Sequence, residues 1–352
     1  MVSMSAMASD QPLLRILDVN ANRASEGLRV VEEYVRFVLE DAHLAKITKE
    51  IRHDLSSALA SISQSSLLQA RDTQHDVGTQ IETDQEYRRP SLTDVAVANQ
   101  KRAEQALRCL EEFLKPAHPQ IAKQMEQLRY RTYTLAQAIA STSRNQTKLG
   151  KARLYVLIDG RSSEAEFVAL ASGLIGAGVD VLQLRDKRLS DRVLLARAHC
   201  LRALCANSQT LFIMNDRPDL ACLARADGVH VGQEELGVRE VRQIMGTEAL
   251  VGVSTHSLEQ ARAAVLDGAD YLGCGPTFPS ETKSFDQFSG PAFLRAVAAE
   301  IRLPAFAIGG LSRDNLAIVL ASGMQRVAVS HAIVAARDPA AEARWFRQVL
   351  ER

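Results

Sequence analysis

The sequence predicts an all-α domain followed by an α/β TIM (β/α)8 barrel, and three observations carry that expectation. Residues from about 11 to 140 place apolar side chains at helical spacing almost throughout. That stretch also repeats itself internally. From residue 153 onward, eight short β-branched runs alternate with amphipathic helices. The expected boundaries are a helical domain over 1–145, a linker over 146–152 and a barrel over 153–352. A chain of 352 residues is long enough for two domains.

In the helical half, ILDVNANRASEGLRVVEEYVRFVLED sets Leu28, Val31, Val35, Phe37 and Val38 among charges at helical spacing. LAKITKEIRHDLSSALASI, DVAVANQKRAEQALRCLEEFLK and QIAKQMEQLRYRTYTLAQAIA read the same way. The polar stretch ARDTQHDVGTQIETDQEYRRPSLTD, with Gly78 and Pro90, is a long loop. The repeat matches Asn22–Tyr34 to Lys101–Phe113. Asn20, Arg23, Ala24, Leu28, Arg29, Glu32 and Glu33 recur as Asn99, Arg102, Ala103, Leu107, Arg108, Glu111 and Glu112. KEIRH (Lys49–His53) is echoed by EQLRY (Glu126–Tyr130), as two helical hairpins about a pseudo-twofold axis would require. Arg23 with Glu26, and Arg29 with Glu33, are spaced for ion pairs along a helix. The plain reading is a salt-bridged bundle. The functional alternative is a polar cleft covered by the loop that carries Arg71, Asp72, His75 and Asp76. The polar segment STSRNQTKLGKAR, 141–153, reads as the connection to the second domain.

The barrel strands are RLYVLID, VDVLQLR, LFIMND, GVHVG, LVGVST, YLGCGP, AFAIGG and RVAVS, each followed by a helical stretch. An open doubly wound sheet is the alternative, but it usually carries a glycine-rich fingerprint that this sequence lacks. The barrel reading makes a test possible, because barrel active sites gather at the carboxyl ends of strands. Asp159, then Gln183, Arg185 and Lys187, then Asn215 and Asp216 follow strand ends. So do Gln233 to Glu235, Ser254 to His256, the segment GPTFPSETKSF, Gly309-Gly310 and Ser330-His331.

Those residues suggest a chemistry. The loops IGGLSRDN and VSHAIV, after strands seven and eight, have the glycines and helix starts of a phosphate cradle. Arg185, Lys187 and Lys283 supply cations beside the carboxylates of Asp216 and Glu235, a set suited to magnesium-bound pyrophosphate. Two anion sites at one mouth suggest the joining of two phosphorylated substrates with pyrophosphate as leaving group.

Composition narrows the partners. Forty-two basic and 42 acidic residues, interspersed, give zero net charge and argue against bulk attraction to nucleic acid or membrane. Cys109, Cys200, Cys205, Cys222 and Cys274 are odd in number and form no CxxC pair, which predicts buried small hydrophobes in a reducing cytosol. The first residues lack the pattern of a secretory signal, and the longest apolar stretch is too short to span a bilayer. A cytoplasmic protein acting on small molecules is expected.

With these residues in view, 151–352 resembles the thiamine-phosphate synthase family. The carrying motifs are QLRDK (Gln183–Lys187), IMND (Ile213–Asp216), DGVHVGQEE (Asp227–Glu235), GVSTH (Gly252–His256), GPTFPSETK (Gly275–Lys283) and AIGGL (Ala307–Leu311). The resemblance implies condensation of hydroxymethylpyrimidine diphosphate with a thiazole phosphate, releasing pyrophosphate and giving thiamine phosphate. It implies that Gln183, Leu184, Arg185, Asp186, Lys187, Asn215, Ser254 and Lys283 hold the pyrimidine diphosphate. Arg185, Lys187, Lys283 and Ser254 would be catalytic, and Asp216 and Glu235 would ligate Mg2+. Ser280, Glu281, Thr282, Gly310, Ser330 and His331 would bind the thiazole phosphate. Two departures stand out: Glu235 where the family usually has aspartate, and Val329-Ser330-His331-Ala332 where it usually has Val-Ser-Ala-Ile.

The helical half resembles the extension that precedes the synthase in some bacterial thiamine enzymes, through LDVNANRASEGLRVVEEYVRF and RDTQHDVGT. That resemblance implies phosphorylation of hydroxymethylpyrimidine phosphate. Two alternatives stand beside these readings. One is a thiazole tautomerase-like barrel, which would not need QLRDK, the Asn-Asp pair and the Lys283 motif together. The other is a helical half serving only as a scaffold that assembles a homo-oligomer.

Overall fold

The structure, a computed structural model, describes residues 4–77, 88–279 and 288–351, with residues 4–10 described through their backbone alone. The chain divides into two compact units, Met1–Ile139 and Ala140–Arg352. Among the described residues, no helix is long and apolar enough to cross a membrane.

The first unit is built from α1 (Met4–Tyr34), extended by a π-helical turn at Val35–Leu39, and then α2 (Ala42–Ala58), α3 (Gln64–Ala70) and α4 (Leu92–Leu114). Helix α5 (Pro119–Lys148) begins in this unit. Asp41 and Ser91 cap α2 and α4 by accepting from the backbone N–H groups of Leu44 and Asp94. The repeat-related helices α1 and α4 pack together. Small residues let their backbones approach: Ala24 and Ala103 are fully buried, and a Cβ on Gly27 would lie 2.8 Å from the carbonyl oxygen of Asn99.

The internal repeat reappears as two matching ion networks. Glu32 is buried and meets Arg52 Nε at 3.0 Å and Arg29 at 3.5 Å, with Arg36 at 4.0 Å. Its counterpart Glu111 meets Arg129 Nε and Arg108, both at 2.8 Å, with Lys115 at 3.8 Å. The expected Arg29–Glu33 pair forms at 2.5 Å and is mirrored by Arg108–Glu112 at 2.8 Å. Arg23 and Glu26 both stay exposed. In the loop after α3, Arg71 makes a bidentate pair with the buried Asp18 at 2.7 and 2.8 Å. Gly78 lies outside the described residues.

The second unit is the expected barrel. Strands β1 (Leu154–Ile158), β2 (Val181–Leu184), β3 (Leu211–Asn215), β4 (Gly228–Val231), β5 (Leu250–Thr255), β6 (Tyr271–Cys274), β7 (Ala305–Ile308) and β8 (Val327–Val329) close in sequence order. Every pairing is parallel, and β8 returns to β1. The intervening helices are α6 (Glu164–Gly176), α7 (Asp191–Cys205), α8 (Pro218–Leu223), α9 (Val238–Met245), α10 (Leu258–Leu266), α11 (Gly290–Glu300), α12 (Leu316–Ala321) and α13 (His331–Val334). Helix α14 (Pro339–Leu350) follows them.

Tyr155, Val181, Ile213, Leu250, Tyr271, Phe306 and Ala328 fill the barrel interior, together with Leu149 and Ala152. The rings of Tyr155, Tyr271 and Phe306 lie 5.3 to 6.0 Å apart by centroid. Room for them comes from a neighbouring strand, because a Cβ on Gly252 would fall 2.1 Å from the Tyr271 ring. Strand side chains alternate between faces. The polar interior positions further toward the carboxyl ends of the strands are therefore Gln183, Asn215, His230 and Ser254.

Residues 146–152, expected as the linker, begin inside a helix, since α5 runs through Lys148. Its last turns are held by the barrel. Asp270, with no exposed surface, accepts from Asn145 Nδ2 at 2.7 Å and Arg144 at 2.9 Å. Its other oxygen accepts from Arg242 at 2.6 Å and from the Val251 backbone N–H at 2.8 Å. Ser141 Oγ donates to the carbonyl oxygen of Ala269. Polar residues thus sit here because polar partners await them. The five cysteines are free, but Cys222 is exposed, and only Cys205 and Cys274 are fully buried as expected.

Candidate active site

The mouth is set by what each strand delivers at its carboxyl end. Beyond β2, Lys187 Nζ lies 3.3 Å from Asp216 and 4.0 Å from Glu235, so residues after β2, β3 and β4 share one charged cluster. Asp216 adopts φ +59°, the left-handed region that costs most residues energy and that aspartate tolerates better than most. Its N–H donates to the His230 carbonyl oxygen at 2.8 Å, which fixes the turn. Glu235 folds back over Gly232, where a Cβ would meet its carboxylate at 2.3 Å. The glycine therefore makes room for the longer side chain.

Asp186 plays a different part from its cationic neighbours. Its side chain is 3% exposed and accepts three backbone N–H bonds, from Gly160 at 3.1 Å, Arg188 at 2.8 Å and Leu189 at 3.2 Å. Burial pushes its carboxyl up, but the three donated hydrogen bonds outweigh that and hold it below the usual aspartate range. It braces the loops after β1 and β2 against each other. Leu184 is fully buried, and alternation along β2 turns it to the face opposite Gln183, so its side chain is not at the mouth.

A line of buried polar groups runs beneath the mouth. Gln183 Nε2 donates to Tyr155 Oη at 2.8 Å, and Tyr155 Oη lies 3.1 Å from Tyr271 Oη. Tyr271 Oη is 3.3 Å from His230 Nδ1, and His230 Nε2 is 2.9 Å from Ser254 Oγ. Burial drives the His230 pKa down to about 4; Arg185 adds to that and Asp216 opposes it. Burial likewise raises both tyrosines, so the phenols stay protonated. None of these three rings belongs to the site set expected from sequence. Period-two alternation in β1, β4 and β6 was the available signal.

The sign of the His230 effect is fixed by its burial. The folded state binds fewer protons than the unfolded state between about pH 4 and the ordinary imidazole value of about 6.5. Its stabilising contribution is complete above about 6.5 and is lost as pH falls toward 4, by about 3 kcal/mol in all. Urea unfolding from pH 7.5 to 4 should show this loss. In His230→Gln, that part of the slope should be absent.

At the other side of the mouth, Gly309 and Gly310 have φ +97° and +64°. A Cβ on Gly310 would lie 2.3 Å from the Pro279 carbonyl oxygen, so the β6 and β7 loops touch through backbone. Asn315 Nδ2 donates to the Gly310 carbonyl oxygen at 2.8 Å. Ser330 Oγ donates to the Leu157 carbonyl oxygen at 3.1 Å, and the exposed His331 opens α13. Arg161, missed from sequence, joins Asp159 at 3.3 Å and the Val334 carbonyl oxygen at 3.1 Å, linking the β1 and β8 loops. Ser280, Glu281, Thr282 and Lys283 lie outside the described residues.

Comparison with known proteins follows the same division. Residues 154–333 match the family described as thiamine monophosphate synthase, and residues 15–138 match the ThiD2 family. A thiamine-phosphate synthase of Rhodopirellula baltica is 45% identical, over 98% of this chain and 94% of its own length. One from Gloeobacter violaceus is 41% identical, with 99% of each chain covered. Among solved structures, a thiamine phosphate pyrophosphorylase from Pyrococcus furiosus matches with TM-score 0.52 and 32% identity. That match covers 57% of this chain and 96% of the other.

Proposed function

The chain belongs to the thiamine monophosphate synthase family, its reaction is the transfer that makes thiamine phosphate, and we propose the following division of that reaction among its residues. Gln183, Arg185, Lys187, Asn215 and Ser254, with Lys283, hold hydroxymethylpyrimidine diphosphate. Gly310 and the Ser330-His331 turn, with Ser280 to Thr282, hold the thiazole phosphate. The observation that carries this reading is the convergence of Lys187, Asp216 and Glu235 at the carboxyl ends of three consecutive strands.

Asp216 and Glu235 fit a magnesium ion. Two carboxylates are drawn toward one cationic point, and no group of three or more His, Cys, Asp or Glu suited to a metal occurs among the described residues. Magnesium takes few protein carboxylates and completes its shell with water and phosphate oxygens. When bound it would neutralise diphosphate charge. Glu235, longer than the usual aspartate, already reaches the same cation as Asp216, which supports it as the second acid.

The chemistry assigned to the chain is electrostatic. Pyrophosphate departs, a pyrimidine-stabilised cation forms, and the thiazole nitrogen captures it. Arg185, Lys187 and Lys283 stabilise the charge that builds on the leaving group, the kind of term that often dominates catalysis. Asp186 acts at one remove, by holding the loop that carries its two cationic neighbours.

The test is pyrophosphate release with both substrates and magnesium, repeated for Gly232→Ala. The wild-type chain should release pyrophosphate only with both substrates present. Gly232→Ala should need about tenfold more magnesium for half-maximal rate, because the new Cβ displaces Glu235. An unchanged magnesium requirement would remove Glu235 from the metal site.

For the helical unit, the match over 15–138 supports phosphorylation of hydroxymethylpyrimidine phosphate, which would supply the barrel's substrate. ATP-dependent formation of the diphosphate by the full chain is the measurement; its absence would leave a scaffolding role.

A further inference from the structure

Gln183, Tyr155, Tyr271, His230 and Ser254 form one continuous hydrogen-bonded line through the barrel interior. Each interior member has two neighbours in the line and one proton to give. An amide N–H only donates, a phenol has a single O–H, and a neutral imidazole has one N–H and one bare nitrogen. These constraints leave little freedom once one end is fixed.

The Gln183 end is fixed, because its Nε2 points at Tyr155. Tyr155 accepts there, so its own proton must go to Tyr271. Tyr271 then donates to His230 Nδ1. The proton of His230 must consequently sit on Nε2, where it is given to Ser254 Oγ. With that oxygen accepting inside the barrel, the Ser254 hydroxyl proton is left to point outward.

With the amide nitrogen facing Tyr155, every other arrangement strands a buried hydroxyl. If His230 donated from Nδ1, Tyr271 would have to send its proton to Tyr155, whose own proton would then have no acceptor in the line. The penalty for an unmatched buried hydroxyl favours one polarity over the other by about fivefold to a hundredfold. A doubly protonated ring, donating from both nitrogens, strands the Tyr155 proton in the same way.

We propose that this chain is a polarised relay of orientation, in which Gln183 sets Ser254 as a hydrogen-bond donor to the pyrimidine diphosphate. Tyr155, Tyr271 and His230 are its positioning residues. The proposal rests on the assignment of Ser254 to that substrate. It adds that the two ends of the site are coupled through the core, so that the amide orientation at one end dictates the hydroxyl at the other. No proton is transferred.

The first experiment reads the imidazole directly, in full-length protein labelled with 15N-histidine. The wild-type chain should show His230 protonated on Nε2 and bare on Nδ1. In Gln183→Glu the introduced carboxylate can only accept, so the line should reverse and the proton should move to Nδ1. An Nδ1–H tautomer in the wild type, or no change in Gln183→Glu, would overturn the relay.

The second experiment is kinetic and does not depend on that variant folding. Tyr271→Phe, which removes the group that fixes the His230 tautomer, should raise the KM for the pyrimidine diphosphate by about three- to tenfold, the worth of one oriented hydrogen bond, with little effect on the KM for thiazole phosphate. In a Ser254→Ala background, the same change should do nothing further. Additive effects would overturn the relay. A silent Ser254→Ala with the Nε2–H tautomer intact would instead overturn the site assignment, and with it the destination of the donated proton.

Discussion

Asp216→Asn is expected to lower kcat/KM for pyrophosphate release by about a hundredfold or more, with the fold retained. Asparagine keeps the shape and tolerates the left-handed backbone found at this position, so the N–H bond to the His230 carbonyl oxygen should survive. What is lost is the charge facing Lys187 at 3.3 Å, leaving Glu235, at 4.0 Å, as the carboxylate on that cation among the described residues. Added magnesium should recover part of the rate. Rates across a magnesium titration, together with a melting curve, separate this from misfolding. A loss under threefold with unchanged magnesium dependence would show that Asp216 does not serve the metal.

The largest stability effect is expected at Arg129. Its Nε donates to Glu111 at 2.8 Å, its NH1 donates to the Tyr133 hydroxyl at 3.2 Å, and its guanidinium lies 4.7 Å from the Tyr130 ring centroid. Both charged side chains of the pair are almost entirely buried, at 9% and 4% exposure. Arg129→Ala leaves the Glu111 carboxylate desolvated, facing the half-exposed Arg108 and Lys115, and should destabilise the helical unit by about 3–5 kcal/mol. The repeat supplies an internal control. Arg52 holds Glu32 in the same way but is 29% exposed, so Arg52→Ala should cost about half as much. Urea unfolding of both variants measures the difference. Equal costs would mean that the two networks are energetically as alike as their sequences.

The barrel was legible because its strands are short β-branched runs, and polar residues cluster where those runs stop. Lys187, Asp216 and Glu235 announced themselves as charges at the ends of apolar strands. Tyr155, Tyr271 and His230 did not, since an aromatic in a strand reads as packing. Only the register of β1, β4 and β6 brings their polar atoms into line. Asp186 was misleading for the opposite reason. Flanked by Arg185 and Lys187, it looked like part of their charge set, but the three N–H groups it accepts from converge only after two loops have folded. The ion pairs of the helical half could be read at helical spacing within one helix. The pairings of Glu32 with Arg52 and of Glu111 with Arg129 join different helices, and only the echo between Lys49–His53 and Glu126–Tyr130 hinted at them.

The grip of Asp270 on the end of α5 bears on how this barrel can be transplanted. A cut placed at residue 150, where the polar stretch invites one, would discard Ser141, Arg144 and Asn145. It would leave a buried carboxylate short of two of its four donors. The portable module begins at Ala140. A fusion or fission of this gene that respects chemistry would place its seam inside a helix, a position that neither a linker search nor a strand count would choose.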